Sequence, residues 1–223
     1  MIKAVIFDMD GLLIDSEPLW RRAQVEAFKL AGIDPISEAE FHKTKGIGVV
    51  NAVKQWHHLK PWQNPPQHEI VSLIVQELLK LIKAEGKLLP GVVKTLDLCK
   101  REVLPMALAS SSAYKVINTV VDGMAIRDYF DVIYSGEDEE YNKPNPGVFI
   151  STAKRLKVEP RDCLVFEDSP AGVLAAKAAR MKCVAVPIAS EKDHAFIQVA
   201  DVVIDSLEEF NKSMLERLEK LAA

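Results

Sequence analysis

Short apolar runs alternate along this chain with stretches of helical periodicity, and after several of the runs come acidic or hydroxyl residues. Ile2 to Phe7 is apolar apart from Lys3 and stops at Asp8-Met9-Asp10-Gly11. That pattern predicts a buried strand ending in an acidic turn. A second run at 104–109 stops at Ser110-Ser111-Ser112, and a third at 163–166 stops at Glu167-Asp168. Further short strands are expected at 132–134, 184–186 and 202–204. Helical spacing fills 92–100, 116–124, 148–156, 171–179 and 207–221. Strands alternating with helices predict an α/β chain with a Rossmann-like parallel sheet and right-handed crossovers.

The first crossover is far too long for one helix. Apolar residues recur at helical spacing from Pro18 to Ala31, and Gly32 supplies a stop. A second face forms around Phe41, Val49, Val53 and Trp56, and residues 71–84 are leucine-rich. Between these lies Lys60-Pro61-Trp62-Gln63-Asn64-Pro65-Pro66, which no helix interior tolerates. No strand of useful length falls between Gly11 and Leu88. The expectation is an inserted all-helical cap domain over residues 16–88, with a discontinuous catalytic core made of 1–15 and 89–223.

Composition removes several function classes. Lys and Arg total 28 against 32 Asp and Glu, a net charge of −4. Nucleic-acid binders usually carry a basic surplus, so no nucleic-acid partner is expected. No apolar run approaches the ~18 residues that span a bilayer, so no membrane partner is expected either. Cys99, Cys163 and Cys183 form no CxxC pair and suit buried free thiols. A reducing cytoplasm is the default location, and a monomer the default assembly. The five histidines have no metal-ligand spacing, and the three tryptophans suit the cap core or its interface.

The polar clusters gain weight by convergence. In an open parallel sheet, ligands bind beyond the carboxyl ends of the strands, so groups far apart in sequence meet at one rim. Asp8 and Asp10, two residues apart in extended chain, point the same way roughly 6.5 Å apart at Cα. Paired carboxylates repel unless a cation or proton sits between them, and hard oxygen ligands suit Mg²⁺. An acidic surface turn or a helix N-cap is the alternative. Glu167-Asp168-Ser169-Pro170 suits cation ligation, helix capping, or both. The three serines suit either a cap for the following helix or an anion site. Lys143-Pro144-Asn145-Pro146 holds Lys143 in extended chain, where it could join a phosphate to the acidic cluster or be a solvated loop lysine.

Taken in order, Asp8-x-Asp10-Gly11, Ser110, Lys143-Pro-x-Pro and Glu167-Asp168-Ser169 resemble the haloacid dehalogenase superfamily of phosphohydrolases over essentially the whole chain. Asp15-Ser16-Glu17 and Leu108-Ala109-Ser110 look like the subfamily of beta-phosphoglucomutase and the 2-deoxyglucose-6-phosphate and related sugar phosphatases. The resemblance implies Mg²⁺-dependent hydrolysis of a small-molecule phosphomonoester, through an aspartyl-phosphate on Asp8 with Asp10 as acid and base. It implies Mg²⁺ held by Asp8, the Asp10 backbone carbonyl and Asp168, with Glu167 in support. It also implies a phosphate site of Ser110, backbone near Ser111, and Lys143. The loop Lys45-Gly46-Ile47-Gly48 resembles the substrate-specificity loop, so Lys45 and Gly46 are candidate substrate contacts.

Two positions depart from the mutase pattern. Trp20 stands where the mutase has a cap-proximal His, and Val49 where it has a phosphate-gripping Arg. Trp20 cannot do acid–base work and Val49 cannot bind an anion, which favours hydrolysis over phosphosugar mutase chemistry. Dehalogenation proper would leave the metal carboxylates idle. A receiver domain would be shorter and lack the cap.

Overall fold

The computed structural model describes residues 1–44 and 46–220. Six parallel strands form one sheet: β1 (Ala4–Phe7), β2 (Met106–Ser110), β3 (Val132–Ser135), β4 (Cys163–Glu167), β5 (Lys182–Ala185) and β6 (Val202–Val203). Their order is β3-β2-β1-β4-β5-β6. The chain builds outward from β1 on one side, then returns to place β4 on the other. The crevice between β1 and β4 is therefore the topological switch point, where such sheets take their ligands.

Both faces of the sheet are buried, as apolar runs without polar alternation require. Val5 and Phe7 point into one core while Ala4 and Ile6 point into the other, the two-residue period of a strand. Phe7 stacks on Phe166 at 4.9 Å between centroids, and Phe210 meets Phe166 edge-on at 4.7 Å. These rings tie β1 to β4 directly beneath the rim. Fully burying a phenylalanine contributes about 1.5–3 kcal/mol, so this stack holds the switch point firmly.

The helices α1 (Glu17–Leu30), α2 (Glu38–His42), α3 (Val49–Leu59) and α4 (Gln67–Glu85) all lie in sequence between β1 and β2. The expected helical insertion is thus present. The chain enters and leaves it through one narrow stalk. Ile14 bridges Leu88, Asp15 N–H donates to the Lys87 carbonyl at 3.1 Å, and Leu89 N–H donates to the Leu13 carbonyl at 3.0 Å. Inside the block α1 packs on α4, around Phe28, Trp56 and Ile74. The core helices are α5 (Val92–Arg101), α6 (Tyr114–Gly123), α7 (Gly147–Leu156), α8 (Pro170–Ala178) and α9 (Lys212–Lys220), and α4 also packs on α6.

Three expectations shift. The strand expected at 184–186 runs instead from Lys182 to Ala185, and the Lys182 Nζ donates to the Leu218 carbonyl at 2.7 Å. The helix expected over 207–221 is a 3₁₀ turn, Leu207–Glu209, followed by α9. A capping box between Ser206 and Glu209 starts that turn, and Phe210 is extended so that its ring reaches Phe166. Residue 221 lies outside the described residues. The serines do not cap α6: its N-cap is Ala113, without a side-chain bond.

Candidate active site

Asp8 immediately follows β1, and its N–H donates to the Phe166 carbonyl at 3.0 Å, so the parallel ladder carries it to the rim beside β4. The chain then folds back on itself, with Leu12, Leu13 and Ile14 N–H all donating to the Met9 carbonyl. Gly11 makes the turn at φ +81°, and a Cβ there would stand 2.3 Å from Asp168 Oδ2. Only glycine suits both the left-handed backbone and the close approach of that carboxylate.

Asp8, Glu167 and Asp168 are all buried, and one carboxylate oxygen of each lies within 4.8 Å of the others. Lys143, itself buried, places Nζ 2.5 Å from Asp8 Oδ1 and 2.6 Å from Glu167 Oε1. The face of Phe149 lies 4.7 Å from the ammonium. Glu167 is fully engaged: its other oxygen accepts from Asp168 N–H, Ser169 N–H and Ser169 Oγ. Ser169 Oγ in turn caps α8, accepting from Gly172 N–H at 3.1 Å. Capping and charge organisation therefore coexist in the Glu167-Asp168-Ser169 turn.

Electrostatics follow from this crowding. Burial pushes the Asp8 carboxyl well above the usual carboxylate range; Lys143 opposes the rise, and Glu167, Asp168 and Asp10 add to it. Burial also works against the Lys143 ammonium, but Asp8 and Glu167 outweigh it and hold its pKa above the ordinary lysine value. Asp8 and Glu167 thus share one ammonium, with the Asp168 carboxylate within 4.8 Å of theirs. A hard divalent cation fits this donor set, since it would supply the missing positive charge through oxygen ligands. The Asp10 side chain stands outside that cluster.

Asp10 belongs to the mouth of the site. Its Oδ1 accepts from Ser16 Oγ and from Trp20 Nε1, each at 2.8 Å. Its Oδ2 accepts from Ser112 Oγ at 2.7 Å, with Ser110 Oγ at 3.4 Å. Ser110 Oγ also receives Ser112 N–H at 3.0 Å. Ser111 turns its hydroxyl the other way, donating to the Gly46 carbonyl at 3.0 Å. Gly46 therefore touches the serine loop directly. Lys45 lies outside the described residues.

One cavity joins these groups. Asp8, Asp10, Asp168, Ser110 and Ser111 line its floor, and Trp20, Phe41, Val49 and Trp56 form an apolar wall from the helical block. Trp56 and Phe41 stack at 6.1 Å between centroids. Sequence reasoning brought the floor together but treated Trp20 as interface packing. Its bond to Asp10 was missed, although Ser16 and Trp20 stand four residues apart, the spacing that puts two side chains on one helix face.

Comparison with known proteins decides the family. A model of haloacid dehalogenase-like hydrolases matches residues 2–180. The chain belongs to the haloacid dehalogenase-like hydrolases. Hexitol phosphatase B of Escherichia coli K12 is 38% identical over 208 residues, 93% of this chain and 94% of that protein. Among solved structures, CbbY from Rhodobacter sphaeroides in complex with phosphate superimposes with a TM-score of 0.86 at 27% identity, covering 94% of this chain and 96% of that one. Beta-phosphoglucomutase from Clostridium difficile superimposes with a TM-score of 0.83 at 26% identity, covering 98% and 97%. This hydrolase is thus an enzyme of the phosphatase kind, on the Rossmann-like fold expected from its sequence.

Proposed function

We propose that this hydrolase is a Mg²⁺-dependent phosphomonoesterase of small phosphorylated sugars or sugar alcohols, working through an aspartyl-phosphate on Asp8. The observation that carries the reading is the buried Asp8–Lys143–Glu167–Asp168 cluster at the β1/β4 switch point, opening into a cavity that Asp10 lines. The hexitol phosphatase likeness supports a polyol or sugar phosphate as substrate.

An Asp8 carboxylate oxygen attacks phosphorus as the bond to the leaving oxygen breaks, and Asp10 gives that oxygen its proton. Asp10 then takes a proton from water as the water oxygen attacks phosphorus and the Asp8–phosphoryl bond breaks. Lys143 keeps the Asp8 oxygen charged and aimed. Ser110, with backbone near Ser111, receives the phosphoryl oxygens. Asp8, the Asp10 backbone carbonyl and Asp168 would hold Mg²⁺, with Glu167 in support; when bound, the ion offsets charge on the transferring phosphoryl. Residues 16–88 act as a cap domain over the core of 1–15 and 89–223, and Lys45 and Gly46 meet the substrate. Three buried free thiols suit the reducing cytoplasm, and a monomer is the proposed assembly.

The test is phosphate release from a panel of hexose and hexitol phosphates. We expect turnover with Mg²⁺ and none in excess chelator; equal rates in both would overturn the metal assignment. The beta-phosphoglucomutase likeness favours a second reading, phosphosugar mutation. Activation by a sugar bisphosphate, with the phosphate retained in product, would establish that instead.

A further inference from the structure

We infer that Trp20 is a positioning residue for proton transfer: its indole N–H pins Asp10 Oδ1 and leaves Oδ2 to exchange the proton with the leaving oxygen. The inference rests on the acid–base reading of Asp10 proposed above.

Asp10 accepts on both oxygens, and the donors to each come from different parts of the molecule. Those on Oδ2 are Ser110 and Ser112, from the loop after β2. Those on Oδ1 are Ser16 and Trp20, the N-cap of α1 and a residue one turn into it, joined by Trp20 N–H donating to the Ser16 carbonyl at 2.8 Å. The Oδ1 contacts therefore travel with the inserted helices, while the Oδ2 contacts belong to the sheet.

The chemistry of the donors separates the two oxygens further. A serine hydroxyl rotates and both donates and accepts, so Ser16, Ser110 and Ser112 can follow Asp10 in either protonation state. An indole N–H only donates. A carboxyl's carbonyl oxygen accepts better than its O–H oxygen, so while Trp20 is bonded to Oδ1 a proton carried by Asp10 favours Oδ2. Oδ2 lies on the side of Ser110, which ends the strand next to β1 and Asp8. Trp20 thus does for Asp10 by direction what Lys143 does for Asp8 by charge. It also couples the two parts of the fold, since Oδ1 is pinned only while α1 sits against the rim.

The experiment compares wild type with Trp20→Phe on two substrates. A hexitol phosphate leaves as an alkoxide that needs Asp10's proton, whereas p-nitrophenyl phosphate leaves as a stable phenolate that does not. We expect kcat/KM, which reads the steps up to departure of the leaving oxygen and not the later hydrolysis of the aspartyl-phosphate, to fall about tenfold on the hexitol phosphate, part of the 10²–10⁴ that general acid–base catalysis contributes. We expect kcat/KM on p-nitrophenyl phosphate to stay within about twofold. Equal losses on both substrates, or no loss on either, would overturn the inference. If Trp20→Phe fails to fold by circular dichroism, benzothienylalanine at position 20 keeps the ring shape, replaces N–H by sulfur, and is held to the same two outcomes. A wild type that hydrolyses neither substrate would sink the phosphatase reading itself, and the inference with it.

Discussion

The floor and the wall of the cavity are built on different principles. The floor is made of strand ends: Asp8 after β1, Ser110 ending β2, and Glu167 and Asp168 at the end of β4, anchored from beneath by the Phe7–Phe166–Phe210 stack. Its charged groups are buried and bound to one another at 2.5–2.6 Å through Lys143. The wall comes from the helical insertion and is largely apolar, reaching the floor through a few contacts: Trp20 and Ser16 on Asp10, and Gly46 on Ser111. A buried charge network tolerates almost no geometric slack, whereas an apolar wall on a narrow stalk can shift or change side chains at modest cost. On the proposed function, reaction chemistry would therefore belong to the sheet and substrate choice to the insertion.

The strongest way to break that division is Asp8→Asn, which keeps the shape and removes the proposed nucleophile. We expect phosphate release to fall at least about 10⁴-fold on every substrate, with cooperative thermal unfolding retained. A substrate-selective loss would mean that the floor, too, sorts substrates.

Lys143→Met comes next. It leaves Asp8 and Glu167 facing each other without their shared ammonium, and removing one partner of a buried pair costs about 3–5 kcal/mol. Denaturant titration should show that loss in the Mg²⁺-free protein, and activity should vanish as well. Unchanged stability would contradict the tightly coupled floor.

Gly46→Ala probes the join. Gly46 has φ +78°, and an added Cβ would stand 2.7 Å from Ser169 Oγ. A left-handed alanine costs about 1–2 kcal/mol, a strain the loop can shed locally by moving away from Ser111 and Ser169, so kcat/KM should drop about tenfold while the melting temperature of the core barely moves. A fall in melting temperature without loss of activity would make the loop structural rather than functional.

Phe41→Ala is the gentlest. It removes part of the wall, so KM should rise about three- to tenfold for large leaving groups with kcat nearly unchanged, the mark of lost uniform binding. Loss of kcat instead would place Phe41 in the chemistry.

Much of the floor was legible in the sequence because each apolar run ends at its polar residue, and parallel strands bring their ends to one rim. The long helical insertion was legible from periodicity alone. Contacts across the two parts were not. Local spacing puts Ser16 and Trp20 on one helix face, but that this face meets Asp10 depends on how α1 enters from the stalk. The serines looked like caps because hydroxyls commonly are, yet Ser110 and Ser112 turn to Asp10 and leave Ala113 at the helix start. The start of β5 at Lys182 was not legible either, because the Leu218 carbonyl that receives its ammonium lies 36 residues away.

The proposed aspartyl-phosphate on Asp8 is tested most directly by rapid acid quench during turnover of a ³²P-labelled phosphomonoester, followed by peptide mapping. Hydroxylamine-labile label on the peptide that carries Asp8, absent in Asp8→Asn, is the expected result. Full turnover with no label on that peptide at any quench time, or label on another residue, would contradict it.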